Sequence, residues 1–600
     1  MDKSLEVAEE AREGVSKLPS FVGDLFEGRV RWDLVFPFPE QDPADKKIGD
    51  EFLARLESFL KANLDPDEVD RTGIIPDTVM KGLAELGCFG MKIPKEYGGL
   101  GLSQINYNRA VGLVASFCGS TAVMLSAHQS IGVPQPLKMF GTPEQKKKWL
   151  PRFARGAVSA FALTEPDVGS DPAQMKTVAV PTPDGNHYII NGEKLWCTNG
   201  PIADVIVVMA KTPSKIVNGK EKTQITAFIV EKETPGYQVV HRCLFMGLNG
   251  MQNGLMRFKD MKVPKENILW GPGQGLKLAL ITLNTGRLTV PAACTAMAKR
   301  ALAVARDWSN KRVQWGQPIG RHEVITSKLS LMAATTFAMD ALTWLTSAMV
   351  DRAATDIRLE AAMAKLFSTE TAWRIADDSV QIRGGRGYET AGSLKARGEE
   401  PIPVERFMRD ARINLIIEGT SEIMHLFIAR EAMDPHLRRI FPIMSPKTPP
   451  GKKLSLALAA FRHYACWYPR QWVYLLSPGL TPHRRYIEKT SHRLARDVFH
   501  AMAVHRQGLE KRQQVLFRFV NIGTDLFAMA AACSRAASLT RQNPQDKGPG
   551  ELADLFCREA VLRIEREFHA QRHNDDKMIY RIGRQMLEGR YRWLETGIIT

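Results

Sequence analysis

The chain has 600 residues and 44% of them are apolar, so it can bury several cores and is not an unfolded polypeptide. It contains 81 lysines and arginines against 65 aspartates and glutamates, which gives a net charge of +16. That charge leaves nucleic acid, an anionic membrane surface and a phosphate-bearing substrate as candidate partners.

Much of the excess charge lies in one segment. Residues 441–490 contain eight basic side chains and a single acidic one, Glu488. The basic residues are Lys447, Lys452, Lys453, Arg462, Arg470, Arg484, Arg485 and Lys489. A local excess indicates a basic surface patch and not a general affinity for nucleic acid.

The cysteines and the N-terminal sequence bear on the compartment. The eight cysteines lie far apart, with no C-x-x-C pair and mostly apolar neighbours, which predicts reduced core residues, a reducing compartment and no zinc site. The N-terminal sequence MDKSLEVAEEAREG is acidic and predicts neither a signal peptide nor a transit sequence. No uncharged apolar run reaches the ~18 residues of a membrane-spanning helix.

The apolar pattern changes several times along the chain. Spacings of three and four predict helices over residues 45–156, and short β-rich runs predict strands over 158–272. Helical spacing returns over 276–433, the prolines of PIMSPKTPPGKK predict a linker, and 482–600 is helical again.

This order predicts six segments. They are an N-terminal arm (1–44), an N-terminal helical domain (45–157), a middle β domain (158–273), a helical bundle domain (274–435), a linker with a membrane-contact segment (436–481) and a C-terminal helical domain (482–600).

Two polar motifs in the β region suggest a ligand site. FALTEPDVGSD supplies Gly169 and Ser170, whose backbone N–H groups can approach a ring or a phosphate, with an ordinary β-turn as the alternative. In GEKLWCTNG, Trp196 and Thr198 are two residues apart, so they face the same side of a strand. An indole beside a hydroxyl suits a flat heteroaromatic ligand, although a strand tryptophan is also typical of a core.

Two further motifs lie among the predicted helices. QIRGGRGY is similar to an RNA-binding RGG element, but a single copy between helices favours a glycine-rich loop against a phosphate or a neighbouring subunit. IIEGTSE places Glu418 between an apolar run and a glycine, where a buried segment would favour isoleucine. A carboxylate there indicates a catalytic group or the cap of the following helix.

Taken in order, LTEPDVGSD, GEKLWCTNG, NKRVQWGQPIG, QIRGGRGY and IIEGTSE resemble the acyl-CoA dehydrogenase family over residues 21–433. The segment SFVGDLFEGRVRWDLVFPFP and the C-terminal region are closest to its very-long-chain branch. The resemblance implies a mainly α fold with a central β domain: an α N-domain, a β-barrel-like middle domain and a four-helix-bundle C-domain, plus an extra C-terminal helical domain. It also implies FAD between the middle and bundle domains, reaching a neighbouring subunit, and no metal.

The resemblance assigns residues to the cofactor and the substrate. The residues assigned to the flavin are Phe161, Leu163, Thr164, Gly169, Ser170, Trp196 and Thr198. Of these, Trp196 would pack beside the flavin ring and Thr198 would lie near its N5 atom. The residues assigned to a neighbouring subunit's FAD are Arg312, Trp315, Gln381, Gly384 and Gly385. Thr420 and Glu422, which follow Glu418, match further FAD-contacting positions of the family. The substrate-side residues are Ser170, Arg287 and Gly419, with a structural salt bridge as the alternative for the arginine. Family members commonly have phenylalanine at Trp315 and glutamine at Glu422.

By the same resemblance, Glu418 is the base that removes the α-proton of an acyl thioester. We expect Ile416 and Ile417 to desolvate it and raise its pKa. The backbone N–H of Gly419 would polarise the thioester carbonyl together with a flavin ribityl hydroxyl. Some branches carry the base on an earlier helix, at the position where this chain has Gly286.

The implied activity is FAD-dependent α,β-dehydrogenation of long-chain acyl-CoA to trans-2-enoyl-CoA by a homodimer, with electrons passed to an electron-transfer flavoprotein. An acyl-CoA oxidase shares the base, and a non-catalytic assembly factor or DNA-binding member shares the fold, so both remain alternatives. We expect the floor of the acyl pocket near residues 125–132, LSAHQSIG, whose small residues leave room for a long chain or let helices pack closely.

The segment 452–489 suggests a membrane contact. Its aromatic residues, flanked by cations, are Phe461, Tyr464, Trp467, Tyr468, Trp472 and Tyr474. Rings and cations together suit an anionic headgroup interface, whereas packing of the rings on the last helical domain is the alternative. We predict peripheral attachment to the inner membrane in a bacterial cytoplasm and no nucleic-acid partner. A mitochondrial matrix is disfavoured because no presequence is seen.

Overall fold

The computed structural model describes residues 18–217, 219–444, 448–465 and 481–599. These residues divide into two compact units. The first contains the described residues up to Phe21, Arg31–Met424 and Ala531–Ala553. The second contains Val22–Val30, His425–Ala530 and the chain from Asp554 onward.

Most of the first unit's N-terminal part is helical. Side chains fix where helices start: Asp42 accepts hydrogen bonds from the N–H groups of Ala44 and Asp45, and Thr142 and Gln145 form a reciprocal capping box. A short helix, α1 (Phe21–Phe26), begins at the last residue of the first segment of this unit, and its other residues belong to the second unit. The helices that follow in the first unit are α2 (Pro43–Asn63), α3 (Pro66–Thr72), α4 (Asp77–Glu85), α5 (Gln104–Phe117), α6 (Gly119–Ser126), α7 (Pro134–Phe140) and α8 (Pro143–Ala154). A π-helical turn over Ala127–Ile131 separates α6 from α7.

An eight-stranded sheet follows. Its strands are β1 (Ser159–Ala162), β2 (Val178–Pro181), β3 (His187–Thr198), β4 (Val205–Val217), β5 (Lys220–Glu231), β6 (Tyr237–Arg242), β7 (Asn253–Pro264) and β8 (Ile268–Leu269). The order is β6-β7-β3-β2-β4-β5-β8, with β1 pairing parallel to β4. Alternate residues of β4 enter two cores: Val205 and Val207 pack with helical residues, while Ile206 and Val208 pack with other strands. Burial on both faces explains the uninterrupted apolar run.

The first unit continues as a bundle of long helices. The elements are α9 (Gly275–Lys311), β9 (Val313–Gln314), β10 (Gln317–Pro318), α10 (Glu323–Arg352), α11 (Arg358–Arg383), α12 (Gly385–Tyr388), α13 (Ala391–Ala396), α14 (Val404–Arg412) and α15 (Ser421–Met444). Small buried residues such as Ala298, Ala301 and Ala305 let these helices approach closely. The predicted order of helical, β and helical regions is confirmed.

The second unit is helical. Besides part of α15 it contains α16 (Pro450–Ala465), α17 (Pro482–His505), α18 (Gln513–Gln542) up to Ala530, α19 (Gly548–Arg572) from Asp554 and α20 (Asp576–Leu587). Its helices are cross-linked by ion pairs, such as Arg563 with Asp525 at 2.7 Å. Two helices, α9 and α18, are long and apolar enough to span a bilayer, and their apolar stretches are mostly buried within the fold.

The predicted linker is shorter than expected. α15 continues through Pro442 to Met444, and α16 begins at Pro450. A proline at a helix start is tolerated because the first-turn N–H groups have no intrahelical partner. Residues 445–447 and 466–480 lie outside the described residues, and so do four aromatic residues of the membrane segment: Trp467, Tyr468, Trp472 and Tyr474.

The cysteines are core residues, as predicted. Of the seven described, five are buried: Cys88, Cys118, Cys197, Cys294 and Cys557. Cys466 lies outside the described residues.

Candidate active site

Glu418 lies in a turn before α15. Glu418 and Gly419 have φ angles of +54° and +100°, and a left-handed glutamate is unfavourable, so contacts around the turn must hold it. The Oγ1 atom of Thr420 accepts a hydrogen bond from the N–H of Ile423 at 3.3 Å. Thr420, and not Glu418, therefore caps α15, and the capping interpretation of the glutamate is wrong.

The carboxylate of Glu418 faces the bundle helix α9. Its Oε2 atom is enclosed and has no hydrogen-bond partner among the described residues. A Cβ atom built at Gly286 would lie only 2.6 Å from Oε2, so the glycine provides the space that the carboxylate occupies. Burial raises the pKa of Glu418 to about 7, although the nearby Lys365 and Arg287 charges oppose this.

The source of that burial differs from the prediction. Ile416 and Ile417 were expected to desolvate the carboxylate; Ile416 is 47% exposed, whereas Ile417 is partly buried. The close approach of Gly286 shows that α9 encloses the carboxylate instead. A chain neighbour in a turn can point away from the residue beside it, and sequence adjacency does not reveal this.

Two cations hold the backbone of the same turn. Arg287 is buried, and its Nε donates to the carbonyl of Glu418 at 3.5 Å while its Nη1 donates to Asn284 at 2.8 Å. Lys365, fully buried on α11, donates from Nζ to the carbonyl of Gly419 at 2.9 Å. The structure thus brings Glu418, Gly419 and Arg287 together, as the sequence indicated, and adds Lys365.

The predicted flavin-contacting residues lie where β1 and β3 end. Phe161 and Leu163 are partly exposed and pack against the same core. The N–H of Leu195 on β3 donates to the carbonyl of Thr164 at 2.9 Å. The end of β1 is therefore adjacent to the β3 segment that carries Trp196.

A buried ion pair fixes this junction. Lys194 is 0% exposed, and its Nζ lies 2.8 Å from Oε1 of Glu165 and 3.1 Å from the carbonyl of Leu163. Glu165 also accepts from the N–H groups of Lys176 and Thr177, at 2.5 and 3.0 Å. These bonds tie the turn after β1 to β3 and to the start of β2. Gly169 and Ser170 follow in this turn and are exposed.

Trp196 does not follow simple strand alternation. Its φ is +53°, and the β3–β7 pairing shifts register between Lys194 and Cys197. The argument that places Trp196 and Thr198 on one face fails across such a bulge. The indole is nevertheless 55% exposed, and Thr198 is partly exposed with its Oγ1 accepting from Nδ2 of Asn253 at 3.0 Å.

The residues expected to serve a partner's cofactor lie at exposed helix ends. Arg312 follows α9, and Trp315 in the β9–β10 hairpin is 90% exposed. Gln381, Gly384 and Gly385 are exposed at the end of α11. Glu422, the other family-assigned residue, is exposed in the first turn of α15.

The expected pocket floor is closed. The hydroxyl of Tyr107 is 2.7 Å from Oγ of Ser130, which is 2.9 Å from Oγ1 of Thr289. A Cβ at Gly132 would lie 2.3 Å from Oγ of Ser159. Ser130 and Gly132 are therefore closely packed, which was one of the two interpretations of this segment.

A cavity lies farther along α9. Its volume is about 480 Å³. Apolar residues that line it are Phe117, Ala122, Val123, Ala293, Met297 and Phe407. Ala293 and Met297 fall seven and eleven residues after Gly286, so they share its face of α9 and extend about 16 Å from it.

Sequence reasoning missed three charged residues of the site. Glu165, Lys194 and Lys365 are all buried, yet none belongs to the set that the family resemblance assigned. The available signal was a lone lysine within an apolar run, AAMAKLF around Lys365. Burial of a lysine is rare enough that such a pattern calls for a partner in the fold.

The open surface at the β1–β3 junction fits a flavin. No described atom lies within 4 Å of a Cβ built at Gly169, so a ligand can approach the backbone there. The exposed indole of Trp196 offers a flat apolar face beside the hydroxyl of Thr198. These features suit a planar ring with polar edges.

Comparison with known proteins agrees with this geometry. Family models for the N-terminal, middle and C-terminal domains of acyl-CoA dehydrogenases match residues 49–157, 160–261 and 273–433. A fourth model, the ACAD9/ACADV C-terminal domain, matches 478–590. The chain belongs to the acyl-CoA dehydrogenase family.

Relatives cover nearly the whole chain. "Probable acyl-CoA dehydrogenase FadE10" of Mycobacterium tuberculosis is 48% identical over 100% of this chain and 93% of its own length. The human mitochondrial very long-chain specific acyl-CoA dehydrogenase is 34% identical over 91% of this chain and 83% of its own. The structure of an acyl-CoA dehydrogenase from Bacillus anthracis complexed with FAD has a TM-score of 0.76 at 28% identity, covering 95% of this chain and 94% of that one.

The acyl-CoA dehydrogenase fold predicted from the motifs is thus confirmed, including the extra C-terminal domain. As a member of this family, the protein is an FAD-dependent oxidoreductase that acts on acyl-CoA.

Proposed function

We propose that this acyl-CoA dehydrogenase oxidises long-chain acyl-CoA between Cα and Cβ, with Glu418 as the base. The observation that supports this is the Oε2 atom of Glu418, which is enclosed, faces Gly286 and has no hydrogen-bond partner among the described residues. A desolvated, unpaired carboxylate is a stronger base than one in water. Bound FAD supplies N5 as the hydride acceptor.

The chain's own residues handle the proton. Oε2 of Glu418 takes the proton from Cα, and a pKa of about 7 leaves a substantial part of the carboxylate ionised at neutral pH. Gly419 adopts a positive φ of +100°, which favours glycine, and its N–H serves as the donor to the thioester carbonyl. Enclosure by α9 keeps water from competing for the base.

Two arms of one experiment test the proposal. Under anaerobic conditions, palmitoyl-CoA should bleach the bound flavin and give trans-2-enoyl-CoA. On admission of air, a slow return of flavin absorbance supports a dehydrogenase that passes electrons to an electron-transfer flavoprotein. A rapid return identifies an acyl-CoA oxidase, and an absence of bleaching by any acyl-CoA indicates a non-catalytic member.

A homodimer in which each chain completes its partner's FAD site is part of the proposal. The exposure of Trp315, Gln381, Gly384 and Gly385 supports it, because these residues are accessible to another subunit. Arg312→Ala should weaken both flavin retention and the dimer, since a cofactor bound to the assembled state stabilises it. A monomer with full flavin content in light scattering would contradict this.

The preference for long chains is supported by the cavity beyond Gly286. An acyl chain that starts at the base and follows α9 for about 16 Å would reach it. Ala293→Phe should fill part of the cavity and shift the kcat/KM optimum to shorter acyl chains. Ala296→Phe, in a different groove and on the same helix, is the matched control. Equal chain-length profiles for all three proteins would exclude this cavity as the acyl site.

Peripheral membrane contact at a bacterial inner membrane is proposed from the described part of α16. Leu454, Leu458 and Phe461 are exposed at spacings of four and three, so they form an apolar stripe beside Lys452 and Lys453. Tyr464, in contrast, is buried and stacks on Phe499 at 4.2 Å between ring centroids, so this predicted membrane contact is corrected to packing.

Liposome flotation tests the stripe. The protein should float with anionic vesicles at low salt, and the triple variant L454S, L458S, F461S should lose most of that binding. If the wild-type protein does not float, or the variant floats equally well, α16 is not the anchor.

A further inference from the structure

Lys365 is an unexpected residue at its position. All residues from 359 to 369 of α11 are buried, and the side chain of Lys365 is 0% exposed. Burial lowers the pKa of its ammonium to about 8, because the charged form loses its water. An apolar side chain would fill this helix interior without that penalty, so the lysine calls for a specific reason.

The contacts of Lys365 point to the turn that carries Glu418. Its Nζ donates to the carbonyl of Gly419 at 2.9 Å, while Arg287 from α9 donates to the preceding carbonyl, that of Glu418, at 3.5 Å. Five residues after Lys365, Glu370 accepts a hydrogen bond from Oγ of Ser421 at 2.5 Å. Helix α11 therefore forms hydrogen bonds with both Gly419 and Ser421.

The turn needs these hydrogen bonds to keep its conformation, because its backbone is strained. Glu418 and Gly419 both have positive φ, and Glu418 tolerates this poorly. Two buried donors on successive carbonyls resist the peptide rotations that would relax the turn. Such a rotation would move the carboxylate away from the space that Gly286 leaves for it.

We propose that Lys365, together with Arg287, is a positioning residue that holds the Glu418–Gly419 turn so that the Glu418 carboxylate faces the substrate's α-carbon. This inference rests on the proposed role of Glu418 as the base. Lys365 bonds the backbone of the turn, and Oε2 of the carboxylate keeps no hydrogen-bond partner among the described residues. It also places a positive charge near the carboxylate, which favours the ionised form that can accept a proton.

The charged and titratable groups around Lys365 come from three elements. They are Arg287 and Cys294 on α9, Glu370 on α11, and Glu418 in the turn. Glu418 interacts electrostatically with Lys365, Arg287 and the Tyr107 hydroxyl on α5. Removing the ammonium leaves Arg287 as the one cation of this set acting on Glu418, so the pKa of the carboxyl should rise further.

The test uses flavin-loaded enzyme and three variants. Lys365→Met removes the donor and the charge, whereas Lys365→Gln removes the charge and keeps a donor. Ser368→Ala, three residues along α11 and also buried, is the packing control. The rate of flavin reduction by acyl-CoA is measured against pH.

The expected results separate a positioning role from a structural one. In both Lys365 variants the acid limb of the pH profile should move up by about one pH unit, because an opposite charge has been lost. The maximal rate should fall about 10- to 100-fold in Lys365→Met and less in Lys365→Gln, since the turn is misplaced mainly in the former. Ser368→Ala should match the wild type.

Two results would overturn the inference. An unshifted acid limb in a flavin-loaded Lys365 variant would reduce Lys365 to a structural residue, and equal rates for Lys365→Met and the wild type would exclude positioning. If Lys365→Met does not fold, Lys365→Gln, which keeps a hydrogen-bond donor in the buried site, carries the test. A failure of the proposed base is recognised separately, since Glu418→Gln would then keep its activity.

Discussion

Two lysines among the described residues are fully buried beside a glutamate, and the two pairs are arranged in opposite ways. At the β1–β3 junction, Lys194 bonds the carboxylate of Glu165 directly at 2.8 Å. Before the start of α15, Lys365 bonds the carbonyl of Gly419, and Oε2 of Glu418 has no hydrogen-bond partner among the described residues. Both lysines are 0% exposed, so burial alone does not distinguish them.

The pKa values of the two glutamates, Glu165 and Glu418, are shifted in opposite directions. Burial alone would raise the pKa of Glu165, but the Lys194 ammonium and the N–H donors of Lys176 and Thr177 hold it below its usual value. The pKa of Glu418 is raised to about 7 because burial outweighs the nearby cations. The first carboxylate is a structural anion, and the second is available to accept a proton near neutral pH.

The largest expected effect comes from the unpaired glutamate. Glu418→Gln should retain FAD and bind acyl-CoA but lose at least ~10³-fold in kcat, because the proton acceptor is gone. Stopped-flow reduction of the flavin by palmitoyl-CoA measures this step. Glu165→Gln is the matched control, and its kcat should stay within about tenfold of the wild type because Glu165 does not touch the substrate proton. Turnover of Glu418→Gln at the wild-type rate would remove the basis of the comparison.

The paired lysine should show the next largest effect, on stability. Lys194→Met leaves the buried carboxylate of Glu165 without its counter-charge, which should reduce the free energy of unfolding by on the order of 3–5 kcal/mol. Chemical denaturation of the FAD-loaded protein, read by flavin release and by circular dichroism, measures it.

The control for Lys194→Met is an exposed pair in the same region. Lys176 and Asp167 form a salt bridge at 2.6 Å with both side chains largely exposed. Lys176→Met should therefore lower the free energy of unfolding far less than Lys194→Met does, because solvent screens an exposed pair. Similar losses for Lys176→Met and Lys194→Met would mean that burial of the Lys194 pair has no energetic consequence.

Sequence reasoning predicted one side of this comparison and missed the other. The motif IIEGTSE identified Glu418 and Gly419, because a carboxylate in an apolar run followed by glycine is locally visible. The contact between Lys365 and Gly419 joins residues 54 positions apart, and that between Glu165 and Lys194 joins residues 29 apart. Only the packing of α11 on the turn, and of β3 beside β1, brings these groups together.

Local sequence patterns also do not predict the places where the backbone departs from regular secondary structure. The helical and β regions followed from apolar spacing, which tertiary packing preserves. The bulge at Trp196 and the helix that continues past Pro442 do not follow from it, since both depend on neighbouring elements. The packing at Ser130 does not follow from the sequence for a similar reason, since Tyr107, which lies beside it, comes from another helix.

The smallest expected effect concerns stability and pH. In the unfolded chain Glu418 should lose its proton near its ordinary pKa of 4.5, whereas in the folded protein it does so near 7. Between these values the unfolded state binds fewer protons, so the contribution of Glu418 to the free energy of unfolding falls as pH rises and is lost above pH 7. The folded protein is thus less stable above pH 7 than it would be with an uncharged side chain at this position.

Glu418→Gln removes this pH dependence, because glutamine does not ionise. The variant and the wild type should be equally stable near pH 4.5, and the variant should be more stable by up to about 3 kcal/mol at pH 8, which corresponds to the shift of the pKa to about 7. Urea denaturation of both FAD-loaded proteins between pH 5 and pH 8 measures the difference. Glu165→Gln should show the opposite sign, with the wild type more stable at pH 8, because the pKa of Glu165 is lowered in the fold. A difference for Glu418→Gln that does not change with pH would mean that the carboxylate is solvated or paired in the folded enzyme, and the contrast between the two glutamates would disappear.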